Sequence, residues 1–255
     1  MKTITTLFTG SRSFVAVLAL LSMSACSTVS VEKIKTKADK ALDTIGTKTN
    51  IGQNPRDPLE GFNRAMFDFN DAIDQAVLKP VAQVYANVTP SFVQTGVGNF
   101  FGNIGDIYTA LNNLLQGKVG DGSSDIMRVA LNSTFGLAGL LDIGSPAGLS
   151  KHKEDFGQTL GVWGVRSGPY LVLPVLGPTT VRDAVATPLD YYGDAWSYYK
   201  PVYIRNTGSL VRLVDKRASV LDAGSLIEEA ALDRYVFIRD AYLQRRASQI
   251  NPNQD

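Results

Sequence analysis

Residues 92–115 read FVQTGVGNFFGNIGDIYTALNNLL, and what that stretch can be decides the fold. Phe92, Phe100, Phe101, Ile104, Ile107, Tyr108, Leu111, Leu114 and Leu115 put apolar surface on more than one side of a helix. Asn, Gln, Thr and Gly interrupt them throughout, so the segment is neither a hydropathy-defined transmembrane helix nor an ordinary water-facing one. Two placements are open: a buried helix in a closely packed core, or a helix with lipid on one side. Gly98 and Gly102 stand four apart, a spacing that lets helices approach closely.

The surroundings share this chemistry. Pro80 to Val181 holds 11 charged residues in 102 and 16 of the 23 glycines. Within it, residues 124–133 predict a short helix, and Gly136–Leu141 a bend or mobile hairpin around Gly136 and Gly139. Ser167–Pro178 (SGPYLVLPVLGP), uncharged and punctuated by three prolines, predicts an extended buried passage. Upstream, Asp57 as N-cap, Pro58 at the first position and Glu60 three after the cap predict a helix start. Phe62, Met66, Phe69, Ile73 and Val77 line one face of that helix, and Pro80 should end or kink it. Downstream, Thr180 with Asp183 marks another start. Tyr191, Tyr192, Trp196, Tyr198, Tyr199 and Tyr203 crowd into thirteen residues, either a membrane-interface belt or an aromatic core corner. Residues 203–222 and 225–246 predict amphipathic helices, the second with Glu228, Arg239 and Arg246 opposite its apolar face. No strand alternation is sustained, and the body reads as all-α.

The N-terminus predicts an anchor. Lys2 and Arg12 precede the short apolar run Phe14–Leu21, which spans about 12 Å as a helix against a hydrocarbon core of ~30 Å. That is the layout of a cleaved signal. Met23-Ser24-Ala25-Cys26 resembles the bacterial lipobox, in which the thiol is acylated and becomes the new N-terminus; Ser27 is the occupant that favours the outer membrane. Residues 1–25 are therefore expected to be cleaved, and 26–55, with five lysines and few large apolar residues, to form a lipidated tether. The removed segment holds two of the 25 Lys and Arg and none of the 24 acids, which leaves the mature chain near neutral. Near-neutrality argues against nucleic acid as partner. With Cys26 acylated no disulfide is possible, and one histidine leaves little for a metal site.

Catalytic patterns are absent. No serine has glycine two residues before and after it, and Gly96, Gly98 and Gly102 miss dinucleotide-binding spacing by one residue. His152, in Lys151-His152-Lys153-Glu154-Asp155, reads as part of a solvated loop. Asp57 and Glu60 are accounted for by capping.

Asp57-Pro58-Leu59-Glu60-Gly61-Phe62-Asn63-Arg64, with Phe67 and Asn70, resembles the start of the MlaA (VacJ) outer-membrane lipoproteins. Leu115-Gln116-Gly117, Arg128 with Asn132, Phe135-Gly136, and Asp155-Phe156-Gly157-Gln158-Thr159-Leu160-Gly161 fit the same pattern. So do Gly168-Pro169-Tyr170-Leu171-Val172-Leu173-Pro174, Gly177, Arg182-Asp183 and Arg239-Asp240-Ala241-Tyr242. The resemblance implies a domain over 56–247 followed by a short tail, 248–255. It further implies an all-α, ring-like body in the periplasmic leaflet of the outer membrane, with a central amphipathic channel. Such a protein removes phospholipid misplaced in the outer leaflet, passes it to a soluble periplasmic carrier, and associates with trimeric porins. It needs no cofactor beyond the N-acyl and S-diacylglycerol lipid on Cys26, and it breaks no bond. Channel or lipid-contact candidates are Phe69, Asn70, Phe100, Phe101, Ile104, Tyr108, Tyr170 and Leu173, with Gly136 and Gly139 in an access hairpin. Two other classes stay open: a porin-associated scaffold lipoprotein, and an envelope lipid or peptidoglycan hydrolase.

Overall fold

The computed structural model describes residues 55–251. The signal segment, Cys26 and the tether up to residue 54 lie outside the described residues, as do the last four residues of the tail. Within them the all-α reading holds apart from one two-stranded hairpin.

The first helix starts later than its capping signal predicts. α1 spans Glu60–Ile73, with Leu59 at the cap position and no side-chain cap. Asp57 is instead fully buried, accepting from Asn63 Nδ2 (2.8 Å), Arg239 (3.3 Å) and the Tyr235 hydroxyl. A buried carboxylate needs several donors, and three tertiary partners outweigh the one bond a cap would supply. Nor does Pro80 end the helical run. A π-helical turn, Asp74–Leu78, leads directly into α2 (Lys79–Val88), with the Lys79 N–H donating to Asp74 O five residues back. The wider turn sits just where proline would clash with the preceding turn. The predicted apolar stripe of α1 is only half-buried, and Val77 is exposed. Its fully covered residues are Asn63, Ala65 and Ala72.

α3 (Ser91–Leu115) and α4 (Val119–Thr134) pack against each other with inverted polarity. Along α3 the buried residues include Asn103, Asp106, Thr109, Asn112 and Asn113, whereas Phe92 is 76% exposed and Ile107, Leu111, Leu114 and Leu115 face outward. The placement of this helix as an apolar element inside a packed core therefore fails. Each of these buried amides has one side-chain partner: Asn113 donates to Asp125 (2.8 Å), Asn103 to Ser133 (2.9 Å), and Asn112 Oδ1 accepts from the Thr159 hydroxyl (2.7 Å). Close approach of α3 and α4 comes from Gly122, where a Cβ would fall 2.8 Å from Leu114 Cδ2. Gly98 and Gly102 do not seat another helix backbone.

α5 (Phe156–Val162) is capped by Asp155, which accepts from Gln158 N (2.8 Å). The proline-rich passage is extended, as predicted, but folds into antiparallel strands β1 (Tyr170–Leu173) and β2 (Gly177–Thr180), with Tyr170 opposite Thr180. Its tip is not buried: Val175 is 75% exposed. Asn63 and Asn70, two turns apart on α1, pair with the free edge of β1. Asn63 donates to Tyr170 O and accepts from Val172 N, while Asn70 donates to Leu173 O and accepts from Val175 N. Amide side chains thus satisfy an edge that would otherwise invite pairing. Tyr170, Val172 and Tyr235 form the apolar core beneath it, joined edge-to-face by Phe67 at 5.8 Å from Tyr235.

α6 (Val181–Gly193) is capped by Thr180 through the Asp183 N–H, as the sequence predicts. A short 3-10 helix (Ala195–Tyr198) precedes α7 (Val202–Ala218). The predicted helix over 225–246 is instead two, α8 (Leu221–Ala230) and α9 (Arg234–Ile250), because Asp233 caps the second through Val236 N. Arg239 and Arg246, expected on an outer charged face, turn inward to the buried carboxylates of Asp57 and Asp183.

Candidate functional site

α3, α5, α6, α7 and α9, with β2 and the loop 151–155, close around a cavity of about 1110 Å³. Its width comes from missing side chains. Gly98, Gly102 and Gly105 recur at helical spacing on the inner face of α3, and a Cβ at Gly98 or Gly105 would meet only the ends of Asp215 (3.6 Å) or Arg212 (3.9 Å). Gln94, Thr95, Asn99 and Thr109 fill the rest of that face with amides and hydroxyls.

Opposite them run ion pairs contributed by distant elements. Arg246 bridges Asp155 (2.6 Å) and Asp183 (2.9 Å), Arg212 meets Asp194 at 2.5 Å, and Lys151 lies 3.5 Å from Asp106. Burial pushes the Asp155 and Asp183 carboxyls up, but the hydrogen bonds and charge of Arg246 more than offset this and leave both below the usual range. At Asp106, Asp190 and Asp215 burial wins, and their carboxyls are raised. Burial and the nearby Asp190 charge push the Tyr108 phenol up to about 12.

The loop 151–155 is solvated at Lys151 and Lys153, as its composition predicts, but it also forms cavity wall. Three of its charges have partners far away in sequence: Lys151 has Asp106, Glu154 has Lys118 (3.0 Å) and Asp155 has Arg246. His152 Nδ1 lies 3.0 Å from Asp125, itself fully buried. A dense charged patch in an otherwise charge-poor stretch was the available signal. Arg212, Asp194 and Arg246 carried none, since their partners are set by tertiary packing alone.

Of the sequence candidates, Phe101 and Tyr108 line the cavity. Phe100 packs on Phe101 and Trp196, Tyr170 is fully buried in the core, Leu173 pairs with Gly177, and Asn70 holds the hairpin. Phe69 and Ile104 are half-buried outside the lining. Gly136 and Gly139 belong to a left-handed turn in which Leu137, Ala138 and Gly139 all have positive φ. A Cβ at Gly136 would fall 2.3 Å from Leu141 O, so only glycine fits there. The turn lies against the lining through Asn99, which donates to Leu140 O (3.1 Å). In the aromatic cluster Trp196 is buried and stacked on Tyr199 (4.9 Å), while Tyr191, Tyr192, Tyr198 and Tyr203 are exposed.

The outer surface exposes large apolar side chains, whereas most residues lining the cavity are polar or charged. Besides α3, it exposes Ile126 and Met127 of α4, Phe135 and Leu137 of the turn, Trp163, and Val175 and Leu176 of the hairpin tip. Among the described residues no helix is long and apolar enough to cross a membrane, and no group of His, Cys, Asp and Glu is placed to hold a metal ion.

A family model described as MlaA lipoprotein matches residues 55–249. The chain belongs to the MlaA lipoprotein family. The intermembrane phospholipid transport system lipoprotein MlaA of Escherichia coli is 33% identical over 198 residues, covering 76% of this chain and 78% of that protein. The protein of the same name from Haemophilus influenzae is 32% identical, over 76% and 79%. A solved chain, described under the structural basis for maintenance of bacterial outer membrane lipid asymmetry, superimposes with a TM-score of 0.67. It is 34% identical and covers 76% of this chain and 99% of its own.

Proposed function

We propose that this MlaA family member is the outer-membrane lipoprotein of an intermembrane phospholipid transport system. It removes phospholipid misplaced in the outer leaflet and passes it to a soluble periplasmic carrier, so maintaining lipid asymmetry. The observation that carries this reading is the inversion of polarity around the cavity. A phospholipid headgroup needs polar surroundings, because burying bare charge in hydrocarbon is expensive. The ion-paired, amide-rich wall offers them, while the apolar exterior suits acyl chains. Amphipathic burial without a membrane-spanning helix fits a body seated in one leaflet, with Cys26 acylated and the tether reaching from it on the periplasmic side. The turn Phe135–Leu141, beside Asn99 of the lining, is the proposed access hairpin, and a trimeric porin the proposed lateral partner.

No bond need be broken in this transfer. Both ring nitrogens of His152 face carboxylates, Asp125 at 3.0 Å and Asp121 at 3.6 Å, so neither faces a hydroxyl to activate. Reconstitution with labelled phospholipid tests the whole reading. Chemically intact lipid should accumulate on the carrier. Recovery of lyso-lipid or free fatty acid would establish a hydrolase, and no movement of lipid would leave a scaffold.

A further inference from the structure

The cavity wall is not balanced charge for charge. Every carboxylate on it has a protein partner: besides the pairs above, Asp190 accepts from Phe156 N (2.8 Å) and Asp215 from the Tyr85 hydroxyl (2.8 Å). Three cations of the same wall have none. Among the described residues Lys153, Lys216 and Arg245 make no side-chain hydrogen bond and no ion pair, although all three line the cavity. They come from different elements, the loop before α5, α7 and α9. Lys216 is open to solvent within the cavity yet hemmed in by protein. Burial, together with repulsion from Arg212, Lys153 and Arg245, pushes its ammonium below the ordinary lysine value. All three line the same cavity, and none is paired with a carboxylate.

We propose that Lys153, Lys216 and Arg245 form a phosphate-binding subsite in the cavity, which takes the headgroup phosphodiester of a phospholipid. The proposal rests on the transport reading and names the part of the ligand held at this place. A phosphodiester carries one negative charge on two free oxygens, each able to accept more than one hydrogen bond, and so suits donors converging from three elements. It would offset the repulsion on Lys216 from Arg212, Lys153 and Arg245. A carboxylate on the protein would do so permanently; leaving the place open lets an arriving lipid supply the charge and leave again. Lysines, compact charges on flexible stems, hold an anion without the rigid two-point grip of buried arginine pairs.

The test uses the full chain in a neutral maltoside detergent, titrated separately with short-chain phosphatidylglycerol, diacylglycerol of the same chain length, and inorganic phosphate. The Lys153→Gln/Lys216→Gln/Arg245→Gln variant should bind the phospholipid at least about tenfold more weakly than wild type, the range for lost charge-assisted hydrogen bonds. Its affinity for diacylglycerol should be unchanged, Lys216→Arg should bind as wild type does, and added salt should weaken phospholipid binding in wild type far more than in the triple variant. Equal phospholipid affinity in wild type and triple variant would overturn the subsite. So would an equal loss for diacylglycerol, which would mark a collapsed cavity, or inorganic phosphate binding as tightly as the lipid. If wild type bound no phospholipid at all, the transport reading itself would fall.

Discussion

Replacing Asp57 by serine separates two accounts of the same residue. As a helix cap, Asp57 would contribute about 0.5–2 kcal/mol, and serine, an equally good cap, would preserve nearly all of it. The structure makes Asp57 the fully buried acceptor for Asn63, Tyr235 and Arg239. Serine cannot reach three donors and carries no charge to face Arg239, which is only 7% exposed. Breaking a buried pair by removing one partner costs about 3–5 kcal/mol. Arg239 keeps its bond to Asp240 (2.9 Å), whose side chain is largely exposed, so the lower end applies: about 3 kcal/mol. For a body of this size that is a drop in midpoint of roughly 6–12 °C. Thermal unfolding of both proteins in the same detergent, followed by circular dichroism, reads it directly. A second variant, Asp57→Asn, keeps the volume and one acceptor, and should fall between them. If Asp57→Ser unfolds within about 0.5 kcal/mol of wild type, the buried-centre account is refuted and the residue is a cap after all.

Three further outcomes follow from the cavity and the anchor. Gly98→Leu points a side chain into open space, its Cβ at 3.6 Å from the nearest atom; stability should hold or rise by up to ~1 kcal/mol while lipid transfer in the reconstituted assay drops well below wild type. Arg246→Met removes the partner that keeps Asp155 and Asp183 below their ordinary value of 3.8. Because lowered carboxyls stabilise the fold above the unfolded pKa, denaturant titrations should show wild type's full advantage above about pH 4, shrinking as pH falls through the lower folded values. Cys26→Ala should yield a folded protein that is mislocalised in cell fractionation and fails to restore lipid asymmetry to a deletion strain; full restoration would make the anchor incidental.

Helices, some of their boundaries and the family were legible along the chain because they rest on local signals. Thr180 with Asp183 caps α6 as its spacing says, the charge-poor glycine-rich middle is a helical wall, and ordered blocks such as DFGQTLG identify the relatives. What local spacing misread was direction. Gly98 and Gly102 have the pattern of a helix–helix contact, yet they widen a cavity. The Lys151–Asp155 run has the composition of a solvated loop, yet three of its charges meet Asp106, Lys118 and Arg246. The sequence by itself determined that α3 would be a helix carrying both polar and apolar faces. Which face turned inward was decided only by tertiary structure. A helix repeat records angles around one axis, whereas the partners that make burying Asn, Asp and Arg affordable lie tens of residues away and exist only once the chain has folded.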